Sequence, residues 1–527
     1  MPQARLPIVY VRGFAGGAQG IEHTVDDPFY GFNVGSTHVR VDGDDQPVFY
    51  SFEGPLLRLL EQEGYQLLVD GGQRHYLQTH DQVPPQSVWI HRFYDLSAGY
   101  SDTSNADGAG GTGGADGADG SWTGERVPYS IEAAALGLLE LIETLQAKTG
   151  APRVHIVAHS MGGLIVRCMI QKVVPEKREG RSATDYVDKV FTYASPHGGI
   201  SFALGGGLLE KLRDTLHPFG AEIFGPKRMY QYLTPHAGPD DEPPAGWHPA
   251  DMPEEAFPLE RVFCLVGTDS TDYEAAYGLS ALTVGPRSDG LVQIDDAQIP
   301  GTPHAYVHRS HSGRYGVVNS EEGYQNLRRF LFGDFKVQAD LVGMRLPDSS
   351  PDLSWQAEIR VSVRGLPVAT HERTTAHWCP IQLPAASNGD PCPDVPLATT
   401  FLNSDLDHHE DGSAATARYA LHLRVLSVSE HHGIFSFRDH LEQVSDIDDV
   451  LIIDLRCRPE GGIEAWAAWN SQFPGAIRDY DPQSMGTVLG DIDLSPGSWV
   501  SAVPLSPNAQ TVLGEQTNVR LTITPWS

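Results

Sequence analysis

The chain has 527 residues, 40% of them hydrophobic and 20% charged, with a formal net charge of −31. That length exceeds one ordinary core, so two or more domains are expected, and the acidic balance argues against a nucleic-acid partner or attraction to anionic membranes. The five cysteines (Cys168, Cys264, Cys379, Cys392, Cys457) are odd in number and scattered. They fit buried free thiols rather than a zinc knuckle or a dense disulfide framework, with a Cys379–Cys392 bridge as the alternative for an exported protein.

The opening MPQARLPIVYVRGF has an apolar run too short for a secretion signal, and it leads straight into a strand pattern at Ile8–Val11. No stretch of eighteen apolar residues occurs. Both features predict a cytoplasmic chain with no transmembrane segment. GPLLRLLEQEGY (Gly54–Tyr65) sets leucines at helical spacing and stops at a glycine. QLLV and SVWIHRFY read as strands. Ser101–Trp122 is rich in glycine and aspartate and cannot build a core, so 101–122 is expected to be a flexible loop. Its aspartates miss the offset of calcium-binding glycine/aspartate repeats.

Tyr129–Gly150 carries the strongest helical pattern, with a Ser130 cap and a terminal glycine. A strand at Val154–Ala158, a helix from Met161 to Val174, strands at Lys189–Tyr193 and Arg261–Val266, and a capped helix at Ser320–Gly333 follow. This alternation predicts an α/β region over 1–334 with a doubly wound, mainly parallel sheet. From Phe335 the style changes. WQAEIRVSV, YALHLRV and NVRLTIT alternate apolar and polar residues between turns, which predicts an all-β sandwich over 335–527. Asp405–Asp411 and Glu430–His432 hold metal-capable side chains, but no regular spacing converges them and no metal site is read there. Trp466 and Trp469 read as core residues.

VHIVAHSMGGLIVR (Val154–Arg167) places Ser160 between two apolar runs, at a strand-to-helix turn with small neighbours Ala158 and Gly162. A serine hydroxyl needs a base, a group orienting that base and donors for an oxyanion before it attacks a carbonyl. A tight turn at a helix start exposes it and supplies one such donor, the Met161 N–H. Among 22 histidines a lone one signifies little. His308, near the end of HAYVHR, and His311, in the loop beyond, are both candidates for the base. Asp269 follows the strand VFCLVGT, a second candidate acid beside Asp289.

AHSMGG resembles the nucleophile elbow of α/β-hydrolase lipases and esterases, with Ala158 where the first glycine is usual. The resemblance spans Pro7–Phe332. IVYVRGFAGG resembles the first strand and oxyanion loop, with Arg12-Gly13-Phe14 where the family commonly has His-Gly. YASPHGG, SDGLVQIDDAQIPG and HRSHSGRYGVVNSEEGYQNLRRFLFG resemble three later family segments. The resemblance implies an α/β-hydrolase fold, with Ser160 as nucleophile and Asp289 as acid (Asp269 the alternative). It implies His311 as base (His308 the alternative), and Phe14 and Met161 N–H groups as the oxyanion hole. His159 and His197 would shape the elbow and the nearby loop. The insertion over 200–259, with Leu208, Leu212 and Leu216 four apart beside glycines, would be a lid or a fixed cap.

The activity implied is carboxylic ester hydrolysis on an ester or lipid substrate, without a cofactor. Phospholipase, GPI-type lipid deacylase or acyltransferase chemistry would use the same residues. A non-catalytic binding protein is the reading from another class. The β domain matches no family by its residues, and is expected to bind a surface or partner or to serve stability.

Overall fold

The computed structural model describes residues 5–13, 40–41, 47–48, 53–68, 73–91, 93, 130–200, 221–271, 285–312, 316–346, 353–384, 392–403, 417–431, 440–457, 462–473, 475, 480–493 and 497–527. The 101–122 loop, the leucines at 208, 212 and 216, and the 405–411 segment lie outside them.

Seven strands make one sheet: β1 (Ile8–Val11), β2 (Gln66–Leu67), β3 (Ser87–Ile90), β4 (Val154–His159), β5 (Val187–Tyr193), β6 (Val262–Gly267) and β7 (His304–Val307). Their order across the sheet is β2-β3-β1-β4-β5-β6-β7, and every neighbouring pair is parallel. A parallel strand with helices above and below has no wet face, which is why β1, β4 and β5 read as near-continuous apolar runs and are buried at every position. From β1 the chain crosses to the β2 edge and comes back through β3, whereas β4 to β7 follow one another outward to the opposite edge. The reversal falls between β1 and β4, where doubly wound sheets open a crevice at their strand ends.

Helix α1 (Glu53–Glu63) is tied to α4 (Glu321–Phe332) by the ion pairs Arg58–Glu321 and Arg328–Glu63. Helix α2 (Ile131–Thr149) starts on Ser130, whose side chain accepts the Ala133 N–H, and ends on Gly150 at φ 70°. It packs on α3 (Met161–Cys168). The run expected as one helix from Met161 to Val174 changes pitch: Met169–Val173 is a π-helical segment before a short helix at Val174–Lys177. Apolar periodicity does not report such a one-residue insertion.

The pattern changes directly after α4. β8 (Phe335–Val342), β11 (Val395–Leu402), β16 (Trp499–Pro504) and β17 (Asn518–Pro525) form one antiparallel sheet. β9 (Leu353–Val363), β10 (Ala369–Arg373), β12 (Ala417–His431), β13 (His440–Cys457), β14 (Ile463–Trp469) and β15 (Thr487–Leu489) form the other. The inward residues of both meet in one apolar cluster that includes Val337, Ala357, Ile359, Leu423, Leu451 and Leu521. The C-terminal region is thus all-β. Trp466 and Trp469 are buried, and the Trp469 indole N–H donates to the Pro504 carbonyl at 2.8 Å.

Cys379 and Cys392 are both buried and free, so no bridge joins them. Cys392 packs in the β core, whereas Cys379 sits in a separate cluster with Val266 and Tyr306 of the parallel sheet. Among the described residues no helix is long and apolar enough to cross a membrane.

Candidate active site

β4 ends at His159, and the next residue, Ser160, has φ 51° and ψ −129° before α3 starts at Met161. A non-glycine residue rarely occupies that region, and the strain costs about 1–3 kcal/mol. The surroundings hold it there. The Ser160 N–H donates to the Tyr193 carbonyl at the end of β5, and its own carbonyl accepts from the Gly163 N–H. Helix α3 lies against β1 so closely that a Cβ on Gly162 would stand 2.2 Å from the Val11 carbonyl oxygen. Only a glycine allows that approach.

The Ser160 hydroxyl lies 2.9 Å from His311 Nε2, and His311 Nδ1 lies 2.9 Å from Asp289 Oδ2. All three side chains are buried, at 6%, 2% and 1% exposure, so the hydrogen-bonded chain runs through a medium with little competing water. The Asp289 carboxylate is held by more than the histidine. Its Oδ1 accepts the Leu291 and Val292 N–H groups at 3.0 and 2.8 Å in a tight turn that Gly290 makes at φ 96°. Three donors on one carboxylate fix its orientation.

His311 stands on a loop, yet its backbone is pinned at both ends. Its N–H donates to the Asp289 carbonyl at 2.8 Å, and its carbonyl accepts from His159 Nε2 at 3.0 Å. Burial, and then the neighbouring His311, push the His159 pKa well below its ordinary value. A neutral His159 protonated on Nε2 is the form that can make this bond.

The alternative residues lie elsewhere. Asp269 turns its Oδ1 to the Thr271 N–H and hydroxyl at 2.8 and 2.6 Å. His308 lies 3.4 Å from Thr268 Oγ1 and stacks on His377. Met161 is the first residue of α3, where a helical N–H has no intrahelical acceptor. Phe14, the other expected oxyanion donor, lies outside the described residues. His197 is buried behind the turn, with Nε2 at 3.2 Å from Thr192 Oγ1.

The family model described as "Putative serine esterase (DUF676)" matches residues 131–217, which contain α2, β4, the Ser160 turn and β5. No curated protein matches the chain. Among solved structures, a Bacillus licheniformis lipase, BlEst2 in its propeptide form, is similar at 11% identity. That match covers 88% of this chain and 96% of the lipase, with a TM-score of 0.32, too low to bear on function. The all-parallel sheet, the strained serine at its reversal point and the matched family agree. The chain has the α/β-hydrolase architecture, and the segment that carries its strained serine is similar to the serine-esterase model.

In this chain one buried side chain does work that its sequence context only hinted at. Arg167, a lone charge in the run GGLIVRCMI, is 2% exposed and donates to three backbone carbonyls, those of His197, Pro249 and Asp251. Burial lowers its pKa to about 10, so it stays charged. Lys172, in the π-helical segment, donates to the carbonyls of Gln231, Thr234 and Ala237. Both residues pin the described part of the 200–259 insertion, whose helix Pro226–Leu233 packs into the core through Met229 and Tyr232. These contacts anchor the described part to the parallel-sheet region, while 201–220 lies outside the described residues. Among the described residues no group of three or more metal-capable side chains converges.

Proposed function

We propose that this hydrolase cleaves carboxylic esters through an acyl-enzyme. Ser160 Oγ attacks the carbonyl carbon as His311 Nε2 takes its proton. His311 then hands that proton to the leaving alcohol. Asp289 keeps the proton of the neutral ring on Nδ1 and stabilises the imidazolium that forms. The Met161 N–H, with the dipole of α3 behind it, and the Phe14 N–H are the donors for the oxyanion. A water activated by His311 then releases the acid. The observation that carries this reading is the buried Ser160–His311–Asp289 chain of two 2.9 Å contacts, opening on a strained serine. A serine serving only a strand–helix connection needs neither the strain nor the chain.

A fluorophosphonate probe tests it, because only an activated serine reacts. The full chain is expected to label on Ser160 and to hydrolyse a panel of p-nitrophenyl esters. Ser160→Ala should lose both while its circular dichroism stays unchanged. A folded Ser160→Ala protein that keeps most of its turnover would overturn the assignment.

A further inference from the structure

β7 is the edge strand of the parallel sheet, and it leads to His311. Its alternation puts Ala305 and Val307 on one side, both in the hydrolase core, and His304, Tyr306 and His308 on the other. That second side is covered by the all-β region. Tyr306 meets His371 of β10 edge-on, with ring centres 5.7 Å apart, and the Arg373 guanidinium lies 4.6 Å over the Tyr306 ring. Beyond β10, His377 stacks face to face on His308, with centres 3.7 Å apart and planes within 3°. Cys379 completes an apolar cluster with Val266, Val292, Ile294, Ala297 and Tyr306.

The turn that presents His377 is itself braced. The Thr375 N–H and hydroxyl both donate to Glu358 Oε1 of β9, at 2.8 and 2.6 Å. Arg373 Nε donates to the Cys379 carbonyl at 2.9 Å. A rigid turn of the β domain therefore presses on two stretches of the hydrolase. One is the exit of β7, where His308 precedes His311 by three residues. The other is Val292, whose N–H holds Asp289 Oδ1.

We propose that His377 of the β domain, by stacking on His308, is a positioning residue for His311. The inference rests on the ester-hydrolase reading, because it takes His311 as the base. His311 has its own clamps at Asp289 and His159, and the Thr268 and Asp269 N–H groups hold the Val307 and Arg309 carbonyls from the sheet side, so the His377 ring adds the support from the domain side. His308 is braced between Thr268 on the sheet side and His377 on the domain side. A base that drifts by about 1 Å can lose up to 10²-fold in rate, so the brace matters to turnover more than to substrate binding.

The test uses the full chain. His377→Ala is expected to lower kcat on a short p-nitrophenyl ester about tenfold, to leave KM within about twofold, and to slow fluorophosphonate labelling of Ser160 by a similar factor. His377→Phe keeps a flat ring over His308 and should recover most of the rate. His308→Ala should cost about as much as His377→Ala, and the double variant no more than the worse single, because both remove one contact. His377→Asn, which keeps a polar turn residue without a ring, replaces His377→Ala if the alanine variant does not fold. Wild-type kcat and labelling in the ringless variant would overturn the inference, as would losses that multiply in the double variant; neither touches the ester-hydrolase reading. A wild-type chain whose Ser160 neither labels nor cleaves any ester would overturn both.

Discussion

Lys189 offers a quantitative test of how the parallel sheet meets the C-terminal end of the chain. It lies in β5, is 0% exposed, and donates from Nζ to the Leu331 carbonyl at 3.0 Å, with the Trp526 ring 4.7 Å away. Burial is the main cause that lowers its pKa from 10.5 to about 7, opposed by Asp188 and helped by Arg261. Between those two values the unfolded chain binds a proton that the folded chain has released. Stability therefore climbs with pH through that window, by about 1.4 kcal/mol per pH unit. Below pH 7 the folded chain carries the whole penalty, roughly 5 kcal/mol for a group moved from 10.5 to about 7.

Lys189→Met removes that penalty. It also removes the hydrogen bond to Leu331, a loss of about 1 kcal/mol, and the contact of the ammonium with Trp526. At pH 6 the variant should be the more stable by about 2–4 kcal/mol. The gap should close as pH rises above about 7 and reverse at about pH 8.5–10. Urea unfolding of both full chains at pH 6, 7.5 and 9, followed by tryptophan fluorescence, measures it. Every other titrating group is common to both chains, so only the difference counts. A gap that stays constant with pH, or a variant less stable at pH 6, would refute the argument.

Asp289→Asn should lower kcat on a p-nitrophenyl ester by about 10³–10⁴, because an amide favours the wrong histidine tautomer, while Asp269→Asn keeps activity within about tenfold; equal losses in steady-state kinetics would disprove the distinction. Gly162→Ala pushes a methyl into the Val11 carbonyl, which backbone cannot yield cheaply. It should cost about 2–4 kcal/mol in urea unfolding and slow fluorophosphonate labelling of Ser160 about tenfold or more, and a change under about 1 kcal/mol would contradict the packing described.

How far the sequence carries depends on whether the deciding contact is local. The parallel sheet is legible because burial on both faces leaves continuous apolar runs such as Val154–His159. Ser130 and Gly150 mark the ends of α2 because capping involves neighbours in the chain. The turn at Ser160 is legible for the same reason. The choice between Asp269 and Asp289 is harder to read, since both follow strand-like segments, and only the hydrogen bonds of distant partners separate them. HAYVHR reads as a plain strand, and nothing in it says that His304, Tyr306 and His308 face β10, some sixty residues on. Nothing in VDKVFTY says that Lys189 is buried until Trp526 and the end of α4 are known to cover it. The same limit holds for the π-helical segment at Met169–Val173, whose residues would suit an α-helix equally.

Arg167 and Lys172 take hold of the 200–259 insertion through five peptide carbonyls, at Pro249, Asp251, Gln231, Thr234 and Ala237. A carbonyl oxygen is the same whatever side chain its residue carries. These anchors are therefore blind to most substitutions at the very positions they grip. Mutational drift or directed evolution can repaint that surface, changing its charge and shape, while the scaffold beneath keeps its hold. A library that randomises exposed positions of this insertion and spares Arg167 and Lys172 would change its surface without dissolving the frame that supports it.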